Sequence, residues 1–254
     1  MTNDETIYTG FNDLDKLTGG LKKGELVLIA GCPAMKKNTF ALNIAMNSAI
    51  RNKNRVAIFS LDHSKEQIIK LMLCNSAKID TQCTVSGNMQ SKEWIKLIDA
   101  MKKFANAGIY IDDKKEISSQ YVKEKYNMLV KQAENINLII IDCISFEKSL
   151  KITDWIILEK LKNLAKELNI PIIIQVRLPL TVDGRNNKCP KISEIRKYPP
   201  DKVLFVNRND YYNESNSQKA ERVKIIVTKN LKGKTGTVNL LFDKDECNFK
   251  NIEE

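Results

Sequence analysis

Eight short apolar runs alternate with longer amphipathic segments along most of the chain. The runs in the middle are continuous and rich in β-branched residues, which is typical of strands buried on both faces of a parallel sheet. Helical periodicity between them indicates repeated strand–helix–strand units. The predicted strands span residues 25–30, 56–61, 109–112, 138–142, 171–176, 203–207, 223–229 and 237–242.

The segments between the strands predict helices that begin near Thr39 and span 66–77, 92–105, 118–134 and 153–168. Ser64 and Gln67 have the spacing of a capping box, and Ser91 is the predicted cap of helix 92–105. That helix carries one apolar stripe, which we expect to pack in the core. The stripe consists of Trp94, Leu97, Ile98, Met101 and Phe104.

The last three predicted strands have no helices between them, which indicates an antiparallel edge on a mostly parallel α/β sheet with helices on both faces. There is no internal repeat and no long linker, so we expect a single domain over residues 1–254. Its N-terminal segment is 1–20 and its core is 21–254. The polar segments 181–190 and 213–220 are predicted loops.

The octapeptide GCPAMKKN, residues 31–38, lies between a predicted strand and a predicted helix. A phosphate-binding loop occupies this position in nucleotide-binding proteins and reads G-x-x-x-x-G-K-[ST]. Gly31 and Lys37 match the pattern, whereas Lys36 replaces the second glycine and Asn38 replaces the hydroxyl residue. These four residues are the predicted contacts to a nucleotide, in a loop whose chemistry is altered.

Two carboxylates follow predicted strands at the same edge of the sheet. Asp142 ends a buried strand, where nucleoside triphosphatases place the residue that orients Mg²⁺, so Asp142 and Asn38 are the candidate metal ligands. Asp62 follows another strand, where a carboxylate can orient an attacking water. The alternative for Asp62 is an ordinary strand-end or capping residue. His63, the one histidine, is assigned no role.

The chain has 254 residues, 43% of them hydrophobic, and a formal charge of +10. This charge is compatible with a nucleic acid partner, but a lysine-rich surface explains it equally well. The six cysteines show no C-x-x-C spacing, so we expect free thiols and no zinc. No run approaches the ~20 apolar residues of a membrane span, and the polar N-terminus has no signal peptide. The expected location is therefore the cytoplasm.

Sequence motifs along nearly the whole chain resemble those of DnaB-type replicative DNA helicases. They are TGFNDLDKLTGGLKKGEL (9–26), FALNIA (40–45), VAIFSL (56–61), IYIDD (109–113), LKNLAKELNIP (161–171), VLF (203–205), Arg208 with YYN (211–213), and GKTGTV (233–238). The resemblance implies a RecA-like P-loop ATPase fold that uses ATP and Mg²⁺, as in the C-terminal motor domain of a hexameric helicase. A RecA/RadA-like or clock-type ATPase is the weaker alternative. The resemblance to DnaB-type helicases also implies that Arg208 contacts nucleotide, and that the family's N-terminal domain and linker helix are missing.

The departures from the family pattern lie where the family carries out its chemistry. Asp62 stands for the catalytic Glu, and Ser145 for a Gln. The arginine-finger position is Leu231, with Lys229 retained and Lys232 one residue away. Connections 142–161 and 197–202 are shortened. The loop departs from G-[RK]-P-[GS]-M-G-K-[TS] at Cys32, Ala34, Lys36 and Asn38.

The basic residues in or beside loop 181–190 lie where the family contacts the phosphate backbone of DNA. These candidate DNA contacts are Arg177, Arg185, Lys188 and Lys191. No aromatic residue is interleaved, so phosphate tracking is favoured over base stacking, and a solvated basic loop is the alternative.

Two functions follow from the altered motifs. The first is a catalytically impaired paralogue that binds a helicase ring, replication proteins or single-stranded DNA, with weak ATP and Mg²⁺ binding. The second is an active ATP-dependent helicase or translocase with a divergent loop. Lys36, Asn38 and Leu231 favour the first.

Overall fold

The fold is built around one nine-stranded sheet. The computed structural model describes residues 6–31, 35–80, 83–84, 89–133, 135–145, 152–177, 199–208 and 220–252. The strand order of the sheet is β3-β2-β4-β5-β1-β6-β7-β8-β9. The strands are β1 (Leu26–Gly31), β2 (Val56–Phe59), β3 (Ile109–Asp112), β4 (Leu138–Ser145), β5 (Ile172–Arg177), β6 (Lys202–Asn207), β7 (Ala220–Asn230), β8 (Gly236–Asp243) and β9 (Asn248–Asn251).

Helices join the parallel strands, as the periodicity predicted. They are α1 (Asn12–Thr18), α2 (Lys37–Met46), α3 (Lys65–Ala77), α4 (Ser91–Ala105), α5 (Ser119–Ala133) and α6 (Ile152–Leu168). A π-helical turn, Asn47–Arg51, extends α2. None of the helices in the described residues is both long enough and apolar enough to cross a membrane.

The central strand β1 is buried along its whole length between β5 and β6, with which it pairs in parallel. β6 also pairs with β7, but antiparallel, and β8 and β9 continue that antiparallel edge. The predicted mostly parallel sheet with antiparallel C-terminal strands is therefore confirmed.

Two buried ion pairs hold β6 against the start of β1. Lys202 pairs with Glu25, and both side chains are almost fully buried. Lys162 of α6 pairs with Asp201, whose Oδ2 also accepts the Leu26 N–H at 2.8 Å. Burial lowers the pKa of Lys202, although the hydrogen bond to Glu25 acts in the opposite direction.

The predicted caps have different outcomes. The Ser64–Gln67 capping box of α3 is confirmed, because the Gln67 N–H donates to Ser64 Oγ at 3.3 Å and the Ser64 N–H to Gln67 Oε1 at 2.9 Å. The Ser91 cap is wrong: Ser91 is the first residue of α4. Gln90 is the cap, and its N–H donates to Glu93 Oε2 at 2.8 Å.

The prediction that the apolar stripe of α4 lies in the core is wrong for three of its residues. Trp94, Ile98 and Met101 are 51%, 48% and 53% exposed. The helix packs on α3 through Ala100 and Leu97 and forms a small cluster apart from the main core. An amphipathic pattern therefore gives the apolar face of this helix but not how much of that face is covered.

Two short elements have no counterpart among the predicted strands and helices. In α1, the Asp15 carboxylate accepts the N–H groups of Thr9 (2.9 Å) and Gly10 (3.0 Å). In β9, the Phe249 ring packs against Phe242 and against Phe40 of α2. Each element has few apolar residues, so contacts with distant residues determine its structure.

Candidate nucleotide site

The start of α2 meets the carboxyl end of β1, where an open α/β sheet binds its ligands. Gly31 ends β1 and pairs with Arg177 of β5. A Cβ atom at Gly31 would lie 3.2 Å from the Val206 carbonyl oxygen, so a larger residue would press on β6. Gly31 thus has a packing role beside its predicted role in the loop. Residues 32–34 lie outside the described residues.

Lys36 has the backbone conformation of the glycine that it replaces. Its φ of 59° and ψ of 29° are left-handed, and it is the N-cap of α2. A side chain at such an angle costs about 1–2 kcal/mol. The loop therefore keeps its local geometry while an exposed lysine projects from the position where backbone approaches phosphate.

The first turn of α2 has the properties of an anion site. Lys36 offers no capping side-chain acceptor, and the turn contains no acidic residue. The first helical hydrogen bond runs from the Phe40 N–H to the Lys36 carbonyl, at 3.0 Å. The N–H groups of the three residues before Phe40 therefore have no acceptor within the helix. Lys37 lies in this turn and is 3% exposed. Such a helix start fits a phosphate group.

Asp142 is buried within β4, which continues to Ser145, so the prediction that Asp142 ends this strand is wrong. Its carboxylate is held by two neighbours. Its Oδ2 accepts the Ser60 hydroxyl at 3.2 Å and lies 3.0 Å from His63 Nδ1. The hydrogen bond to Asp142 raises the pKa of His63, against the opposing effect of partial burial. His63, to which the sequence analysis assigned no role, therefore contacts the carboxylate proposed to orient a metal.

Three buried side-chain oxygens near one another have no hydrogen-bond partner in the described part of the chain: Asn38 Oδ1, Asp142 Oδ1 and Gln175 Oε1. All three residues line one cavity of about 30 Å³, which is large enough for a single ion or water. Oxygen ligands of this kind suit Mg²⁺, so Asn38 and Asp142 fit the predicted metal role. Among the described residues, no three His, Cys, Asp or Glu residues form a metal-binding group.

Gln175 was missed by the sequence analysis, although a signal was present. It is the one polar residue inside the apolar run of β5, from Ile172 to Val176. A polar side chain that is 1% exposed within such a strand needs a polar partner or a ligand.

Asp62 and Arg177, predicted for different roles, form one ion pair. Arg177 Nη2 lies 2.6 Å from Asp62 Oδ2, and both side chains are partly exposed. The candidate catalytic carboxylate is thus in contact with a candidate DNA-binding residue from β5.

Two other predicted site residues have surroundings of a different kind. The Arg208 guanidinium pairs with Glu221 in the interior, 5.1 Å from the centre of the Phe242 ring. Its backbone N–H donates to Met35 Sδ at 3.2 Å. Leu231 follows β7 in a turn and is 64% exposed.

Two lysines, Lys229 and Lys232, lie close to Leu231 in the sequence. Burial lowers the pKa of Lys229, and Lys232 Nζ lies 4.0 Å from Glu25 Oε1. The remaining predicted positions lie outside the described residues or have undescribed side chains. They are Arg185, Lys188, Lys191 and Ser145.

Comparison with known proteins agrees with this geometry. The sequence profile of the DnaB-like helicase C-terminal domain matches residues 6–251. The replicative DNA helicase DnaB of Geobacillus stearothermophilus is 36% identical over 261 residues, which cover 97% of this chain and 57% of that protein. The replicative DNA helicase DnaC of Bacillus subtilis is 35% identical with the same coverage. The chain therefore spans about 57% of the length of these relatives.

Solved structures give the same result for the fold. One of them, the ATPase domain of another protein, superposes with a TM-score of 0.88 at 30% identity, covering 99% of this chain and 93% of that one. A DnaB-like replicative helicase, described with its interactions with primase, superposes with a TM-score of 0.87 at 30% identity, covering 99% and 63%. The fold is the predicted RecA-like one, and the chain belongs to the family of DnaB-like helicase C-terminal domains.

Proposed function

We propose that this chain is a catalytically impaired helicase domain that serves DNA replication as a binding module. It would bind a helicase ring, another replication protein or single-stranded DNA, in the cytoplasm and as a single domain over residues 1–254. Any ATP or Mg²⁺ binding would be weak and would not lead to efficient turnover.

One observation carries the proposal: both carboxylates that hydrolysis would use are in contact with basic side chains of the chain itself. Asp62 is paired with Arg177, and Asp142 is hydrogen-bonded to His63. An attacking water can use the Asp62 oxygen only when the ion pair opens. Asp62 is also one methylene shorter than the Glu that the family pattern has there.

The other departures act in the same direction. An arginine finger contributes about 10³–10⁵ in rate, and Leu231 cannot replace it. A displaced catalytic group costs about 10². These losses do not simply multiply, but any one of them would place turnover far below that of an intact motor.

Residual ligand binding is supported by residues that keep their place. The first turn of α2 with Lys36 and Lys37 would hold phosphate, and the free oxygens of Asn38 and Asp142 would hold Mg²⁺. Such an ion would offset the negative charge of a bound phosphate. Gly31 would keep the loop close to β6.

DNA binding is proposed through the basic residues at the end of β5 and in the segment after it: Arg177, Arg185, Lys188 and Lys191. The Arg177 guanidinium has five N–H donors, so it can contact a phosphate while it stays paired with Asp62. As a protein partner we propose a replication protein, since one structural relative is a replicative helicase described with its interactions with primase.

The test is ATP binding and hydrolysis by the purified chain, with and without single-stranded DNA, beside a Lys37→Ala control. We expect turnover at the level of the control in both conditions. Turnover that DNA stimulates and that Lys37→Ala abolishes would contradict the proposal.

An active motor with divergent motifs is the second candidate, and it is favoured by Lys37 and Asp142, which are retained and buried. A repaired variant separates the two: Lys36→Gly, Asn38→Thr, Asp62→Glu and Leu231→Arg. If the impaired site limits turnover, the repaired variant should hydrolyse ATP at least tenfold faster. An equal rate in both proteins, well above the Lys37→Ala control, would favour the active motor.

A further inference from the structure

Two adjoining depressions form one elongated groove on the side of the molecule away from the phosphate loop. Their volumes are about 820 Å³ and about 610 Å³, and Arg222 and Ile252 line both. The larger one lies between the ends of α2 and α3 and the strands β8 and β9. The smaller one continues over α1 and the start of β8. We call the whole feature the outer groove.

Five exposed cations line the outer groove, and none of them is ion-paired within the described residues. They are Arg51, Lys78, Lys103, Arg222 and Lys234. The one acidic lining residue, Asp13, is already paired with Lys16 at 3.3 Å. Lys16 also lines the groove, and the remaining lining cation, Lys250, is paired with Asp243 and Glu246.

Helix ends reduce this positive charge but do not cancel it. Arg51, Lys78 and Lys103 lie at the C-terminal ends of three helical segments, where basic residues commonly offset the helix dipole. Each helix end contributes roughly −0.5 of an elementary charge. The five cations and three helix ends together therefore have a net charge of about +3.5. The groove therefore attracts anions beyond what its own helices neutralise.

The floor of the groove is built by a buried amide network. Asn43 Nδ2 donates to Asn75 Oδ1 at 3.1 Å, and the Phe249 N–H donates to Asn43 Oδ1 at 2.9 Å. Asn75 in turn donates to the Cys247 carbonyl at 2.5 Å. Both asparagines are 3% exposed. The network fixes the shape of the groove in advance, which lowers the ordering cost of binding.

We propose that the outer groove binds the phosphodiester backbone of a nucleic-acid strand, at a site separate from the nucleotide loop. The helical segment from Lys37 to Arg51 places about 20 Å between the two sites, at 1.5 Å per residue. An extended ligand fits the two joined depressions, whereas a compact phosphate would meet only a few of the five cations. The aromatic rings beside the groove, Phe11 and Phe249, are buried, so binding depends on charge and not on base stacking.

Lysine footprinting tests the position of the ligand. The full chain is acetylated with limiting reagent, alone and with a 20-nucleotide single strand, a 20-base-pair duplex or inorganic tripolyphosphate, and the lysines are read by mass spectrometry. We expect either DNA to protect Lys78, Lys103 and Lys234 at least threefold while Lys92 and Lys96 stay unchanged. The more protective form identifies the strand state that the groove binds.

Two outcomes would overturn the proposal. Protection by tripolyphosphate but by neither DNA would assign the groove to small polyphosphates. DNA that binds the chain without protecting the three groove lysines would place the DNA elsewhere, for example at Arg177. The footprint is independent of ATP turnover, so it separates this proposal from the proposed function.

A charge-matched pair of variants tests the energetics. The groove variant changes the five groove cations to Gln: Arg51, Lys78, Lys103, Arg222 and Lys234. The control changes five exposed lysines outside the groove to Gln: Lys92, Lys96, Lys115, Lys131 and Lys160. Both lose the same net charge. If both fall equally in single-strand affinity, the groove has no specific role and the proposal is wrong.

We expect the slope of log affinity against log salt to fall by about 3.5 in the groove variant, at roughly 0.7 per phosphate contact. The control should lose less than about 1. Should the groove variant unfold, the double variant Lys103→Gln, Lys234→Gln removes two exposed ammonium groups only, and its slope should fall by about 1.4. An unchanged slope there would also reject the proposal.

Discussion

Lys36 combines the left-handed backbone of a glycine with a long charged side chain. The strain lies in the backbone and is present whether or not a ligand binds. Glycine removes the steric cost of about 1–2 kcal/mol but adds unfolded-state entropy worth roughly 0.5–1 kcal/mol.

We expect Lys36→Gly to leave the free energy of unfolding unchanged or to raise it by up to about 1 kcal/mol, because its two effects nearly offset each other. Lys96→Gly, in the exposed interior of α4, should lower it by about 1 kcal/mol. Denaturant titration measures both. A loss of 1 kcal/mol or more in Lys36→Gly would mean that the lysine side chain stabilises the loop.

His63 makes stability depend on pH. Its pKa is raised by the hydrogen bond to Asp142, so its protonated form is favoured by folding. The added stability is fully present below the pKa of the unfolded state, 6.5, and disappears as the pH rises through the higher pKa of the folded state. The pair is partly exposed, so its effect is at most about 1 kcal/mol.

The measurement is the unfolding free energy of the wild type and of His63→Gln at pH 5.5 and pH 8.5. Because other groups contribute equally to both proteins, the difference between them isolates the histidine. We expect the advantage of the wild type to be larger at pH 5.5. A constant advantage would show that the His63–Asp142 contact is not linked to protonation.

The sequence indicated those candidate site residues that lie within one motif or at the end of one predicted strand, such as Gly31, Lys37 and Asp142. It did not predict the pairing of Asp62 with Arg177, because Asp62 follows β2 and Arg177 ends β5, and only the strand order brings them together. For the same reason no local pattern indicated that the Arg208 guanidinium is paired with Glu221.

At the scale of elements, β9 shows how a short strand depends on the rest of the fold. It has one buried apolar residue, Phe249, and pairs only with β8 among the described strands. We expect Phe249→Ala to lower the free energy of unfolding by about 3–5 kcal/mol, because the ring fills a space between α2 and β8. Asn248→Ala, on the same strand, should change it by less than about 0.5 kcal/mol.

Chemical denaturation of both variants checks this prediction. If Phe249→Ala cost no more than Asn248→Ala, β9 would not be part of the cooperative core. Because β9 also lines the outer groove, a detached β9 would be visible as faster exchange of the backbone amide of residue 249, which donates to Asn43 Oδ1.

Elements with a continuous apolar run or a clear helical stripe were predicted, including the four-residue β3, whereas α1 and β9 were not. The strands buried on both faces, such as β4 and β5, have continuous apolar runs that define them locally. β9 and α1 lack such runs and form only where β8 and the Asp15 hydrogen bonds support them. The exposed stripe of α4 was misassigned because periodicity does not show whether a second layer covers the face.

At the scale of the whole molecule, the Glu25–Lys202 pair joins the parallel and antiparallel halves of the sheet. Breaking a buried pair leaves an uncompensated charge, so Glu25→Gln should lower the free energy of unfolding by about 3–5 kcal/mol. The double variant Glu25→Met, Lys202→Met should recover most of that loss, because both charges are removed together.

Thermal and urea unfolding of the two variants and the wild type test this. Equal losses in the single and the double variant would mean that the pair is needed for its geometry rather than for charge balance. The prediction of one domain over 1–254 can be followed in the same experiment, since a single domain should unfold in one transition.

The position of β1 in the middle of the sheet has a consequence for synthesis on the ribosome. β1 is synthesised before the other strands, yet its partners are β5 and β6. Leu26 can pair only after Ile172 has been made, and Val27 with its β6 partner only after Lys202 has been made. At about 5–20 residues per second, this apolar strand remains unpaired for roughly 10–30 s. During that time its apolar side chains have no sheet to pack in, and a message cut short before β6 yields a chain that cannot bury its own centre.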